Sequence, residues 1–203
     1  MTLYAAVKSI MDVLLASLIL VLLFPLLSLI SVMVFIDSGS PVFFHQDRLG
    51  RSGKPFRMLK FRTMVVGSES QVEVKADGSL RTSEDDPRIT AVGRWLRMSS
   101  LDELPQFLNV IAGQMSLVGP RPDLLWQAQY YSEADRIKLC VKPGITGLAQ
   151  VSGRNQLPWP KRLELDAEYV RKCSFSMDLF ILFKTVKAVL CGRGVYEESK
   201  ERS

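Results

Sequence analysis

Apolar residues are concentrated at the N-terminus, where no charge interrupts the chain from Val13 to Ile36. As a helix rising about 1.5 Å per residue, this run is roughly 36 Å long, enough to cross a hydrocarbon core of about 30 Å. It reads as a membrane segment. A cleaved signal peptide fits less well: the run is long, only Lys8 precedes it as a basic residue, and Ile36-Asp37 offers no small-residue cleavage site. Pro25 stands at its centre, where the missing N–H and a clash with the Val21 carbonyl predict a kink or break. Ser28 and Ser31 lie just beyond and are placed to satisfy freed backbone groups. Two topologies follow, a kinked span or a hairpin that enters and leaves on one side.

Beyond this run the pattern is one of short elements between Gly and Pro. Pro41 to Gln46 and Pro55 to Met64 read as two strands joined by a turn at Gly50 to Gly53, with Lys60 and Arg62 on one face and Leu59 and Phe61 on the other. Val66 to Arg88 has no apolar period and reads as a mobile loop. Helices are predicted at Ile89 to Met98, Glu103 to Ala112, Asp123 to Cys140, Lys161 to Lys172 and Met177 to Leu190. The last has a broad apolar face beside Lys184 and Lys187, which suits either a membrane interface or a domain core.

Charge orients the membrane segment. Arg48, Arg51, Lys54, Arg57, Lys60 and Arg62 follow it with no acid among them, so the bulk of the chain is expected in the cytoplasm. Past position 47 lie 25 of the 26 Lys and Arg and 18 of the 21 Asp and Glu. That excess suits an anionic membrane surface or a phosphate-bearing substrate. Nucleic acid is not expected, because no zinc-finger spacing or aromatic RNA-binding motif accompanies the charge. A 47% hydrophobic chain of 203 residues is not disordered. The single His45 excludes a His-rich metal site, and the three Cys share no C-x-x-C spacing. Carboxylates, Arg, Lys and hydroxyls must carry the chemistry, with a hard metal such as magnesium as an option.

The densest chemistry lies in SSLDELPQFLNVIAGQMSLVGPRP, from Ser99 to Pro122. Ser100 and Glu103 have capping-box spacing, although Pro105 also allows Asp102 as the cap. In either register Asp102 and Glu103 sit at a helix N-terminus that favours ionised carboxylates and attracts a magnesium-phosphate complex. Gly119-Pro120-Arg121-Pro122 brackets an Arg between two residues of fixed φ, which suits bidentate phosphate recognition as well as a plain rigid turn.

These residues carry a resemblance. PVFFHQDRLGRSGKPFRMLKFRTM (Pro41 to Met64), SLDELPQFLNVIAGQMSLVGPRP, VKPGITGLAQVSGRN (Val141 to Asn155) and LELDAEYV (Leu163 to Val170), behind an apolar segment with a central Pro, make the chain similar to the bacterial sugar transferases. These are monotopic phosphoglycosyl transferases that load a sugar phosphate onto polyprenol phosphate. The size looks like that of their minimal catalytic form. One departure is Phe24 before Pro25, where members commonly carry Ser.

The resemblance implies an α+β, mainly helical fold: a re-entrant membrane helix over residues 1–38, then a cytoplasmic catalytic domain over 39–203 with a short β-hairpin and interfacial amphipathic helices. It implies location at the bacterial cytoplasmic membrane. It also implies a two-step exchange in which Asp102 attacks the β-phosphate of a UDP-sugar, expels UMP, and passes the sugar phosphate to polyprenol phosphate. Glu103 would hold magnesium with Asp102 or accept a proton. Lys60, Arg62 and Arg121 are the phosphate candidates. Gln150, Arg154 and Asn155 are candidates for nucleotide or sugar contacts, with Gly144, Gly147 and Gly153 allowing close backbone approach to a ligand. Membrane lipids are expected partners, and self-association into a homo-oligomer stays open. The alternative is a membrane-tethered basic module that grips anionic lipid or a partner protein without chemistry.

Overall fold

The apolar run folds into one 36-residue helix, α1 (Leu3–Ser38), which continues through Pro25. The chain is helical on both sides of Pro25, where the sequence predicts a kink or break, and the Ser28 and Ser31 hydroxyls donate to the carbonyls of Phe24 (3.0 Å) and Leu27 (2.8 Å), not to that of Val21. Proline removes one N–H and crowds the carbonyl four residues back, costs that packing on both sides of it can offset. A computed structural model describes residues 3–68, 74–75, 78–79, 86–153 and 156–191. The elements after α1 are β1 (Phe43–Leu49), β2 (Pro55–Phe61), α2 (Ala91–Ser99), α3 (Gln106–Ile111), β3 (Ser116–Val118), β4 (Gly144–Thr146), α4 (Leu148–Ser152), α5 (Trp159–Lys172) and α6 (Phe175–Cys191). The protein is mainly helical α+β, as expected.

The hairpin pairs β1 with β2 antiparallel, from Phe43 opposite Phe61 to Leu49 opposite Pro55. Its turn, Arg51–Gly53, is a single 3-10 turn in which Ser52 and Gly53 take positive φ. Strict alternation fails along β2: Phe56, Met58 and Phe61 are buried, while Leu59 and Lys60 are both half-buried. The expected long helix from Asp123 to Cys140 is instead two 3-10 turns, Leu125–Tyr130 and Asp135–Cys140. Tyr131 between them is extended, and the Ser132 N–H donates to Asp135 Oδ2 at 2.9 Å, which starts the second turn afresh. This lets Tyr131 and Leu139 reach the cluster of Leu49, Trp159 and Leu163. A parallel pair went unanticipated, with Ser116 opposite Gly144 and Val118 opposite Thr146. Most of the expected mobile loop, 69–73, 76–77 and 80–85, lies outside the described residues.

Helix α1 enters two cores with opposite ends. Ala16 packs with Phe56, Met58, Val110, Met115, Tyr169 and Ile181, whereas Ile30 and Val34 pack with Phe61 and Leu96. Burial of each large apolar side chain contributes about 1.5–3 kcal/mol. Polar contacts reinforce the first end: Tyr4 OH and Lys8 Nζ donate to Asp178 Oδ2 at 2.8 and 2.7 Å, and Ser116 Oγ donates to Asp12 Oδ2 at 2.6 Å. Between the packed ends, Leu18, Val21, Leu22 and Phe24 are exposed. The helix is long and apolar enough to cross a membrane. On α6, Phe175, Leu179, Phe180, Phe183 and Val186 are also exposed, while Ile181 is buried.

Gly93 in α2 offers a test of this packing. Ala is ordinarily worth about 1 kcal/mol over Gly inside a helix, but a Cβ here would collide with the Thr63 carbonyl. Gly93→Ala should therefore destabilise by about 1–3 kcal/mol, as overpacking does. Thermal unfolding in detergent measures it, and a raised Tm would refute the close approach.

Candidate active site

Ser100 decides where the acid pair points. It ends α2 in the left-handed region (φ 58°) and reverses the chain, so its side chain does not form the expected cap. Leu101 and Leu104 pack on the Ile30–Phe61–Leu96 cluster and pin the 3-10 turn Leu101–Glu103. Pro105 then stands at the start of α3, where its missing N–H needs no partner.

Lys60, near the end of β2, reaches this turn. Its Nζ donates to Glu103 Oε1 at 2.8 Å and lies 4.0 Å from Asp102 Oδ2. Arg121 Nη2 donates to the same Glu103 oxygen at 3.1 Å. Among the described residues no hydrogen bond is made to the Asp102 carboxylate, although Asp102 is only 9% exposed. Burial is the largest influence on Asp102 and pushes its pKa up to about 6, against the opposing field of Lys60 and with help from the charge of Glu103. Burial would also raise Glu103, but Lys60 and Arg121 outweigh it and hold that carboxyl well below the usual range. Glu103 is thus a fixed anion that gathers two cations. Asp102 is ionised at neutral pH yet more basic than an ordinary aspartate.

Arg121 is delivered by the parallel pair and by β1. The Gly119 N–H donates to the Thr146 carbonyl and the Gly144 N–H to the Pro120 carbonyl, both at 2.9 Å. A Cβ on Gly144 or Gly147 would strike the Gly119 backbone, and one on Gly153 would lie 2.8 Å from Leu157 Cγ. In this structure these glycines allow close contacts within the protein. Across the turn, Arg48 Nη1 donates to the Pro122 carbonyl at 3.2 Å and the Leu49 N–H to that of Asp123 at 2.9 Å.

The other candidates separate. Arg62 lies just past β2, and its buried Nη2 donates to the Ser38 and Gly39 carbonyls, both at 2.7 Å. It therefore ties down the C-terminal end of α1, as cations at helix ends do, and is not brought to the acid pair. Gln150, in α4, has both amide atoms buried without a hydrogen-bond partner among the described residues, beside Gly147. Arg154 and Asn155 lie outside the described residues. Sequence reasoning missed Arg48, Asp123, Tyr131, Lys138 and Asp166, which pack behind the Arg121 turn. One signal was available: Asp166 falls on the buried stripe of α5 with Leu163, Ala167 and Tyr169. For a metal, Asp102 and Glu103 are the adjacent oxygen donors, and the described residues contain no group of three or more acidic, His or Cys side chains.

Residues 3–192 match the family described as bacterial sugar transferase. The chain belongs to that family. It is 43% identical over 194 residues to the exopolysaccharide production protein ExoY of Rhizobium meliloti, a match covering 91% of this chain and 86% of that one. It is 42% identical over 193 residues to the UDP-glucose:undecaprenyl-phosphate glucose-1-phosphate transferase of Escherichia coli, covering 91% of this chain and 40% of the relative. The undecaprenyl-phosphate galactose phosphotransferase of Salmonella typhimurium is 42% identical over 198 residues, 93% of this chain and 41% of its own. This sugar transferase thus spans most of the rhizobial relative and about two-fifths of the two longer ones.

The coupling within the acid pair can be read directly. Glu103→Gln removes a charge that raises Asp102 and should lower its pKa from about 6, whereas Lys60→Met removes a favourable cation and should raise it. Carboxyl carbon-13 shifts across a pH titration report both, and shifts of the opposite sign would refute the arrangement.

Proposed function

We propose that this sugar transferase moves a sugar 1-phosphate from a UDP-sugar to polyprenol phosphate through a covalent intermediate on Asp102. The observation that carries the reading is a buried, hydrogen-bond-free Asp102 beside a Glu103 that has already collected Lys60 and Arg121. An Asp102 oxygen attacks the β-phosphorus, the bond from that phosphorus to the bridging oxygen breaks, and UMP leaves with its electron pair. A phosphate oxygen of polyprenol phosphate then attacks the same phosphorus and releases the carboxylate. Lys60 and the half-exposed Arg121 offset negative charge on the transferring group, and the raised basicity of Asp102 favours its attack. The names of the relatives, with their UDP-sugar and undecaprenyl-phosphate terms, support both substrates. A basic tether without chemistry is not favoured, since it needs no such acid pair.

Magnesium fits as a proposed cofactor. Two adjacent carboxylates, with no third acidic side chain grouped with them among the described residues, suit a hard cation that keeps waters and shares substrate phosphates. Held by Asp102 and Glu103, it would supply charge neutralisation at the phosphoryl group.

The membrane arrangement we propose is re-entrant, with both ends of α1 on the cytoplasmic side of the bacterial inner membrane. Its two ends pack against one domain, so a span would have to carry one packed end across the bilayer. The apolar face of α6, flanked by Lys184 and Lys187, would then lie along the same interface.

The test is single-turnover chemistry in nanodiscs with UDP-glucose and UDP-galactose labelled at the β-phosphate. UMP should appear before acceptor is added, in no more than one equivalent, with label retained on the protein. Asp102→Asn should release none. UMP that appears only with acceptor, or an active Asp102→Asn, would overturn the intermediate. The rate of this first step should fall on the acid side of pH 6, because protonation of Asp102 removes the nucleophile and the diphosphate of the donor does not titrate there, while bound magnesium would place the fall below the metal-free value of about 6. A rate that rises as the pH is lowered from 7 would exclude Asp102 as the nucleophile.

Topology has its own measurement. A cysteine at Leu3, which is 83% exposed, should resist membrane-impermeant maleimide in intact cells and react in inverted vesicles. Pro25→Leu should shift it towards reaction in intact cells and reduce activity. Labelling of the otherwise unaltered protein from outside would establish a span.

A further inference from the structure

The acid pair accounts for Lys60 and Arg121 but not for the charges buried behind the Arg121 turn. Lys138, 4% exposed, donates to Asp123 Oδ2 at 2.6 Å and lies 2.8 Å from Asp166 Oδ2. Tyr131 OH donates to the same Asp123 oxygen at 2.6 Å. The backbone N–H of Arg121 also faces Asp166 and favours its charged form. One ammonium therefore joins Asp166 of α5 to Asp123, two positions beyond Arg121.

Such a triad is a poor device for stability alone, since apolar residues of the same volume often serve as well or better. What they cannot do is fasten a loop carboxylate to α5 through one shared cation. Pro120 and Pro122 fix φ on both sides of Arg121, so the turn moves as a rigid unit. Its orientation depends on where Asp123, the next residue after Pro122, is held.

We propose that Lys138, with Asp123, Asp166 and Tyr131, forms a positioning device that aims the Arg121 guanidinium at Glu103 and the donor diphosphate. This rests on the reading of Arg121 as a phosphate ligand. None of the four touches the acid pair through its own side chain in the contacts described above; they act through the turn.

A double-mutant cycle distinguishes positioning from support of the fold. Lys138→Met should lower kcat/KM for the UDP-sugar about 10²-fold, the effect expected of a displacement near 1 Å. Tyr131→Phe, which removes a single hydrogen bond, should lower it less. In an Arg121→Ala background neither substitution should lower it further, because there is no guanidinium left to aim. Losses that multiply in full in that background would overturn the proposal, and so would an unchanged kcat/KM in Tyr131→Phe. Should Lys138→Met fail to fold, the Tyr131→Phe cycle decides. Calorimetric affinity for pyrophosphate gives a readout independent of turnover: Lys138→Met and Arg121→Ala should weaken it alike. Absence of UMP release by the unaltered protein would sink the reaction, whereas equal pyrophosphate affinity with and without Lys138 would sink the positioning role.

Discussion

A single carboxylate oxygen, Oε1 of Glu103, accepts from both Lys60 and Arg121, and the geometry of the site depends on it. Charges withdrawn from solvent, as those of Lys60 and Glu103 largely are, are stable only when they are compensated. Lys60 comes from the end of the hairpin, Glu103 from the turn before α3, and Arg121 from the loop after β3. The ion pairs therefore fasten three separate parts of the chain at one point. Because Glu103 takes the hydrogen bonds of both cations, Asp102 is left, among the described residues, with no hydrogen bond and only the longer 4.0 Å contact to Lys60, and burial can push its pKa up to about 6. The division of labour between two adjacent acids follows from which of them the cations reach.

A similar chain of contacts joins α1 to the site. Val118, just before Gly119, has its carbonyl 2.9 Å from Ser116 Oγ and 3.1 Å from Tyr169 OH. Those hydroxyls in turn lie 2.6 Å from Asp12 and 2.7 Å from Asp178, the latter bonded to Tyr4 and Lys8 of α1. The N-terminal end of α1 is thus part of the folded domain, with its polar groups satisfied by protein. The other end is held by Arg62, whose position against Ser38 and Gly39 explains why a basic residue so near Lys60 along the chain does not join it at the acid pair.

The apolar run, the hairpin, the helices near α2, α5 and α6, and the Asp102-Glu103 and Gly119–Pro122 motifs were all legible in the sequence by itself. These are local features: hydrophobic period, turn residues and contiguous motifs are properties of neighbours along the chain. Lys60 and Arg121 were named as candidates from motif alone, but that they meet on one oxygen of Glu103 was settled only by the tertiary structure. So were the α2-ending role of Ser100, the parallel pairing of two three-residue strands, and the replacement of one helix from Asp123 to Cys140 by two turns. Each of these depends on contacts between residues far apart in sequence, where burial and pairing outweigh local propensity. Lys138 shows the limit most plainly: within its own segment it is one basic residue between Ile137 and Leu139, and only the fold places it between Asp123 and Asp166, buried from solvent.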